Sequence, residues 1–316
     1  MSNGVIGQTG QPTFPAAPLV GQQGRFWTRA RREGLTGWLL VGPVMVYYAV
    51  MGLIPMGAVV VLSFVRWTGF SGSPEWVWLH NYKLLWDFPL YRDVFVHTLY
   101  IGGSILLASL AISFFIALLL NARIRGRGIY RTIWYLPAVV SFAITSQMWN
   151  AFLDPTNGLF NTILRWAGQP AINWQLSAFW MTFWIIVLST WKGVGGTMII
   201  FLAGLQGIDP TLYEAGKIDG ANRLALLRYV TLPSLRPVTV FAVISGMLGA
   251  MQIFEPVQLL TRGGPFDSTT VVVYSIYKNA FLNSSFGLAS AMSVVFALLC
   301  LAFTVFQLTV VGRRTD

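Results

Sequence analysis

Few residues in this chain could do chemistry, and their types point to binding and not to bond making. Among 316 residues there are 11 carboxylates, two histidines and one cysteine. No G-x-x-x-x-G-K-[ST] phosphate loop, H-E-x-x-H or G-x-S-x-G pattern occurs. His80 and His97 stand alone, and Cys300 as the only cysteine rules out an intrachain disulfide or a cysteine metal cluster. What remains is a set of polar groups in apolar surroundings. Lys192 in "TWKGVGGT" is the clearest, because a charge at the centre of a membrane helix costs about 2.5–3.5 kcal/mol on the insertion scale. It could snorkel or pair with another helix, or it could line a path and meet hydroxyls or an anionic group of a solute. Gly193, Gly195 and Gly196 leave either room for a solute or close helix packing. Gly246, Gly249 and Gln252 recur at intervals of three and so share a helix face, where the Gln252 amide could hydrogen-bond a sugar. Trp149, Asn150, Trp191 and Phe254 are weaker candidates, since aromatic rings stack on sugars but more often pack or sit at interfaces. Glu255 could face a partner or water.

These groups need helices to position them. With 55% hydrophobic and 10% charged residues, the composition is that of a membrane protein. A hydrocarbon core of about 30 Å calls for roughly 20 apolar residues per helix. Six runs qualify, within 38–64, 94–120, 132–152, 179–202, 238–259 and 287–311. They are continuous and do not alternate, which excludes a barrel. The expected fold is therefore all-α and polytopic, with six transmembrane helices.

The basic residues fix the orientation. With six spans both termini share a side, and that side carries 14 Lys and Arg against five acids. The opposite loops carry six of each, and Lys192 lies inside the fourth span. The positive-inside rule places both termini and the 203–237 segment in the cytoplasm. The formal net charge of +10 follows from topology, and the scattered arginines without an aromatic face argue against nucleic acid as a partner. Residues 1–35 read as a disordered cytoplasmic tail with a basic anchor, 36–312 as the membrane domain and 313–316 as a second tail. The basic cluster starts too late, and the following run is too long, for a cleavable signal peptide.

Between the fourth and fifth spans lies "EAGKIDGANRLALLRYVTLP", Glu214 to Pro233. Asp209-Pro210 opens a helix, with Asp as cap and Pro at the first position. Asp219-Gly220 breaks it after Ile218, and Leu224, Leu227 and Val230 fall on one face of a second short helix ended by Pro233 and Pro237. This cytoplasmic hairpin, 209–233, could lie on the bilayer surface, or it could dock an apolar face and Glu214 into a groove on a partner.

The order Glu214, Ala215, Gly216, three residues, Gly220, nine residues, Val230, one residue, Leu232, Pro233 resembles the EAA motif of ABC-importer permeases at every spacing. It departs only in Gly216 for the second Ala and Val230 for Ile. Asp219-Gly220-Ala221 is similar to the form usual in the carbohydrate-uptake branch. "NYKLLWDFPLYRDVFVHTLYIG", "YLPAVVSFAITSQMWNAFLDPTNGLFN", "LTRGGPFDSTTVVVYSIYKNAF" and "FGLASAMSVV" resemble other segments of that branch, so the likeness covers about residues 36–312. The resemblance implies a permease in a bacterial or archaeal cytoplasmic membrane. Its partners would be a second, related permease, two ATPase subunits and an extracytoplasmic solute-binding protein, with lipid around it. It implies no cofactor on this chain, the ATP and Mg being used by the ATPase. Glu214, Ala215, Gly216, Asp219, Gly220, Ala221, Leu232 and Pro233 would form the coupling element. Lys192, Gly196, Gly249, Gln252, Trp149 and Asn150 remain the candidates for the solute path. A sugar or oligosaccharide importer is the first expectation, with glycerol phosphate or a polyol as an alternative solute and a non-transporting scaffold as an alternative role.

Overall fold

The computed structural model describes residues 23–69, 72–122 and 125–312. Most of the expected N-terminal tail and all of 313–316 lie outside the described residues. The helix already begins at Gln23, so the basic segment from Arg25 to Arg32 is helical and the expected boundary at residue 35 falls inside a helix. The chain divides into two compact units, the first ending at Gly57 and the second beginning at Ala58. In the first, helix α1 (Gln23–Tyr48) passes through a π-helical turn, Ala49–Leu53, into α2 (Ile54–Leu62). Trp38, Leu39, Leu40, Tyr47 and Tyr48 are all exposed, an apolar surface of the kind that lipid covers.

The second unit opens with a short antiparallel pair, β1 (Val65–Arg66) and β2 (Glu75–Trp76), in the register Val65 to Trp76 and Arg66 to Glu75. Helices then follow: α3 (His80–Asp87), α4 (Pro89–Asn121), α5 (Arg127–Val139), α6 (Phe142–Phe152) and α7 (Leu159–Trp166). After α8 (Ala178–Gln206) come α9 (Pro210–Ile218), α10 (Arg223–Leu226), α11 (Leu232–Ser234) and α12 (Arg236–Met251), and finally α13 (Val272–Tyr277) and α14 (Phe286–Gly312).

The centre of this unit is the pair α4 and α8. On α4 the buried residues Val94, Thr98, Ile101, Ile105, Ser109, Ser113, Ile116 and Leu120 repeat at three and four, one face of a 3.6-residue helix. Small residues let backbones approach, as lipid gives no hydrophobic drive between helices. A Cβ on Gly102 would lie 2.8 Å from the Ala250 carbonyl oxygen, and Ser113 Oγ donates to Val194 O at 3.0 Å.

Four helices among the described residues are long and apolar enough to cross a membrane: Thr36–Leu62, Pro89–Asn121, Ala178–Gln206 and Phe286–Thr309. A fifth is counted if Arg223–Ser234 and Arg236–Met251, bent by 64°, form one span. The expected third and fifth runs are thus not single helices. The third is split into α5 and α6 at Val140 and Ser141, where Val140 turns extended (ψ 137°) and Ser141 Oγ caps α6 by accepting from Ile144 N at 3.4 Å. The fifth ends at Met251, and the chain resumes in a π-helical turn, Val257–Thr261.

Candidate functional site: a polar cavity at a broken helix

Lys192 is the middle residue of α8, with equal lengths of helix on either side. Helix α5 runs antiparallel to the second half of α8. A Cβ on Gly195 would lie 2.6 Å from Trp134 O, and Pro137 and Val140 reach the level of Lys192. There Lys192 Nζ donates to Pro137 O at 2.9 Å and to Val140 O, and it lies 4.5 Å from the centre of the Phe142 ring. Only 7% of the residue is exposed. Backbone carbonyls freed by a helix break inside a membrane must find donors, and a cation at the negative end of a helix is the favourable one. Lys192 therefore closes the end of α5 and holds the break between α5 and α6.

A cavity of about 340 Å³ opens beside this break. Its wall includes Lys192, Gly249 and Gln252, so three of the sequence candidates for a solute path come together. Gly246 joins Gly249 and Gln252 on it, as their shared spacing anticipates. Gly196 does not line it, although an added Cβ there would meet nothing within 4 Å. Trp149 is buried in an aromatic cluster with Trp184, Phe160 and Trp191, ring centres 5.4–6.4 Å apart, and is no part of the cavity wall. Asn150 also lies outside the wall, its Nδ2 donating to Leu259 O at 3.3 Å.

Sequence reasoning missed Ser109, Ser189, Thr197 and Phe142, which line the same space. The hydroxyls of Ser109 and Ser189 have no hydrogen-bond partner among the described residues. Ser189 lies three residues before Lys192 on the same helix, a spacing that would have found it. Among the described residues that line the cavity, Lys192 is the one cation and Glu255 the one carboxylate.

The hairpin between α8 and α12 keeps the expected first helix and turn. Asp209 Oδ1 accepts from Thr211 N at 2.9 Å, and these hydrogen bonds to Thr211 hold its carboxyl below the usual carboxylate range. At the other end Ala221 N donates to Gly216 O (2.9 Å) and Gly220 N to Lys217 O (3.1 Å), the paired bonds of a Schellman motif with Gly220 at φ +77°. An added Cβ on Gly216 would meet Leu226 Cδ2 at 2.7 Å, so the departure from alanine leaves room for the second helix to close on the first. Tyr213 and Thr231 hydroxyls bridge the two at 3.0 Å.

The second helix differs from its expectation. It widens into a π-helical turn, Leu227–Thr231, and Pro233 lies in the first turn of α11 beyond it, so the sharp bend comes at Leu235. Leu227 and Val230 are half-buried, whereas Leu224 is 72% exposed. With Ile218 (86%) and Tyr229 (71%) it gives the hairpin an apolar outer surface. Glu214, Ala215, Asp219 and Gly220 are exposed, Gly216 and Ala221 half-buried, and Leu232 and Pro233 exposed.

Residues 109–316 match the family described as "Binding-protein-dependent transport system inner membrane component". The chain belongs to that family. Among curated relatives, this permease is 33% identical to the trehalose/maltose transport system permease protein MalF of Thermococcus litoralis, over 90% of this chain and 96% of the other. It is 31% identical to the sn-glycerol-3-phosphate transport system permease protein UgpA of Pectobacterium atrosepticum (92% and 99% covered). The lactose transport system permease protein LacF of Rhizobium radiobacter is 32% identical (90% and 96%). A solved bacterial ABC transporter involved in import of the acidic polysaccharide alginate shares the fold, with a TM-score of 0.80 at 24% identity, covering 92% of the permease and 100% of that chain. The permease is a multi-pass membrane protein of the ABC-transporter, sugar-transport kind, and its family is that of non-catalytic membrane subunits.

Proposed function

We propose that this permease is the translocating subunit of an ATP-driven importer that moves a sugar or oligosaccharide delivered by an extracytoplasmic binding protein. The observation that carries the solute class is the cavity. Its single cation is already engaged by the Pro137 and Val140 carbonyls and shares the space with Glu255. Its unpartnered groups are the Ser109 and Ser189 hydroxyls, next to the exposed Gln252 amide. Such a lining suits the hydroxyls of a neutral sugar and leaves no cation free to hold a phosphomonoester, which argues for the sugar over glycerol phosphate. Relatives named for maltose, trehalose and lactose agree with that reading.

Six passes with cytoplasmic ends complete the architecture, α5 and α6 together forming one broken pass and α12, beyond the bend at Leu235, another. Discontinuous helices at mid-membrane are where transporters bind solutes, because irregular backbone is tolerated only where protein or a cavity surrounds it. A second, related permease would close the open side of the cavity. The hairpin would dock in the cleft of an ATPase, one of two, through Ile218, Leu224 and Tyr229, with Glu214 meeting a basic residue. The Schellman turn at Gly220 keeps this joint stiff, and α8 and α12, which flank it, both line the cavity. ATP closure would thereby be transmitted to the solute site.

The test is uptake of labelled sugars by proteoliposomes holding the full transporter and its binding protein. Saturable ATP-dependent uptake of a neutral sugar, not displaced by glycerol phosphate, is expected. Uptake lost for Glu214→Lys, with normal membrane levels, is expected of the docking role. Unchanged uptake by that variant would sink it.

A further inference from the structure

At the cytoplasmic end of α5 two arginines converge on one neutral acceptor. The Gln206 side-chain carbonyl, oriented by the donors around it, accepts from Arg127 Nη2 and from Arg131 Nη2, the latter at 2.8 Å. The Nε groups of both arginines are buried and without a hydrogen-bond partner, and among the described residues neither guanidinium has a carboxylate within 4 Å. Like charges four residues apart on a helix repel, and an amide oxygen neutralises neither. With Nε turned inward, each guanidinium presents outward its Nη groups, for which Gln206 is the one acceptor among the described residues, and two such forks match the geometry of a phosphate, which accepts several charge-assisted bonds at once. The N-terminus of α5 adds its positive end, and its cap, Gly126, supplies no side-chain acceptor.

The depth of the pair points to the source of that phosphate. Lys192 is the midpoint of α8, and Gln206 is the last residue of that helix. At 1.5 Å per residue the 14 positions between them span about 21 Å. Along α5, Arg131 is nine residues from Val140, or about 14 Å from the level of Lys192. Half of a bilayer's hydrocarbon core is about 15 Å, and half of the whole bilayer about 20–22 Å. The two arginines thus sit at headgroup depth, on the side of the hairpin, where anionic lipids concentrate.

We propose that Arg127 and Arg131 form a binding site for a phosphate oxyanion, that of an anionic phospholipid headgroup, tying the cytoplasmic ends of α5 and α8 together. The site is separate from the cavity and does not depend on what the permease transports.

The experiment is native mass spectrometry of the complete transporter in detergent, titrated with phosphatidylglycerol, with phosphatidylcholine, or with inorganic phosphate alone. The wild type is expected to bind one phosphatidylglycerol more than the Arg127→Gln/Arg131→Gln variant, or to bind it at least tenfold more tightly, with no difference for phosphatidylcholine. Arg127→Lys/Arg131→Lys, which keeps the charge without the forks, is expected to fall between them. Should the double variant fail to assemble, Arg127→Gln at the first position of α5 carries the comparison. Equal binding by inorganic phosphate alone, lost in the variant, would keep the oxyanion site but assign it to the free ion. Indistinguishable binding of both probes by wild type and variant overturns the proposal.

Discussion

Replacing Lys192 by Met separates the two jobs that a buried lysine in a transporter could have. The structure gives its ammonium two carbonyl acceptors, Pro137 O and Val140 O, and one aromatic face, Phe142. Hydrogen bonds from a charged donor contribute about 1.5–3 kcal/mol each and the ring contact about 0.5–2 kcal/mol. Against this, removing the charge recovers the cost of about 2.5–3.5 kcal/mol for a cation at mid-membrane. Central values leave a net loss of about 2–3 kcal/mol for Lys192→Met, from the two orphaned carbonyls at the break. Unfolding in mixed detergent micelles, followed by tryptophan fluorescence, measures this difference. Lys192→Arg, which keeps a cation and its donors, is expected to recover part of it. Wild-type stability in Lys192→Met together with lost sugar affinity would refute the reasoning, because the ammonium would then serve the solute and not the helix end.

Other substitutions test the packing and the hairpin. Gly220→Ala places a Cβ at φ +77° and is expected to destabilise the hairpin by about 1–2 kcal/mol, read by hydrogen exchange of Gly220 and Ala221 amides. Gly216→Ala requires only that the end of Leu226 shift, whereas the branched chain of Gly216→Val is expected to part the two helices and lower the melting temperature further. Gly287→Ala would press a Cβ into the Val65 carbonyl oxygen, a backbone atom that cannot swing away, so its cost should reach the upper end of the about 1–3 kcal/mol seen for overpacking. Asp209 is held below its unfolded carboxylate value by Thr211, so its contribution to the hairpin is complete above that value and disappears as pH falls through the lower folded one. Proteolysis of the hairpin should therefore accelerate below about pH 4, and Asp209→Ala should remove that dependence.

The sequence revealed what depends on neighbours along the chain. The cap at Asp209, the Pro210 start and the Asp219-Gly220 stop are local chemistry, and α9 with its turn appears where they place it. The common face of Gly246, Gly249 and Gln252 follows from helical spacing and does line one cavity. What sequence could not display was chemistry between distant segments. The break after α5 depends on Lys192, more than 50 positions away, which accepts the role of helix cap only when α5 lies along α8. Pro137 and Ser141 were visible, but a proline within an apolar run is compatible with a continuous membrane helix. Trp149 was ambiguous for a similar reason, since its ring partners come from α6, α7 and α8. Leu224, Leu227 and Val230 share a face by periodicity, but the π-helical turn that begins at Leu227 shifts the register, so Leu224 is exposed while Leu227 and Val230 are half-buried.

The central claim is that the hairpin transmits ATP use by a partner to a sugar-binding cavity in this chain. Sugar-stimulated ATP hydrolysis by the reconstituted transporter, compared between wild type and Gly220→Asp, tests it most directly. The account predicts strong stimulation in the wild type and basal hydrolysis without stimulation in Gly220→Asp, at equal amounts of assembled protein. Full stimulation in Gly220→Asp, or none in the wild type with any sugar-loaded binding protein, would contradict it.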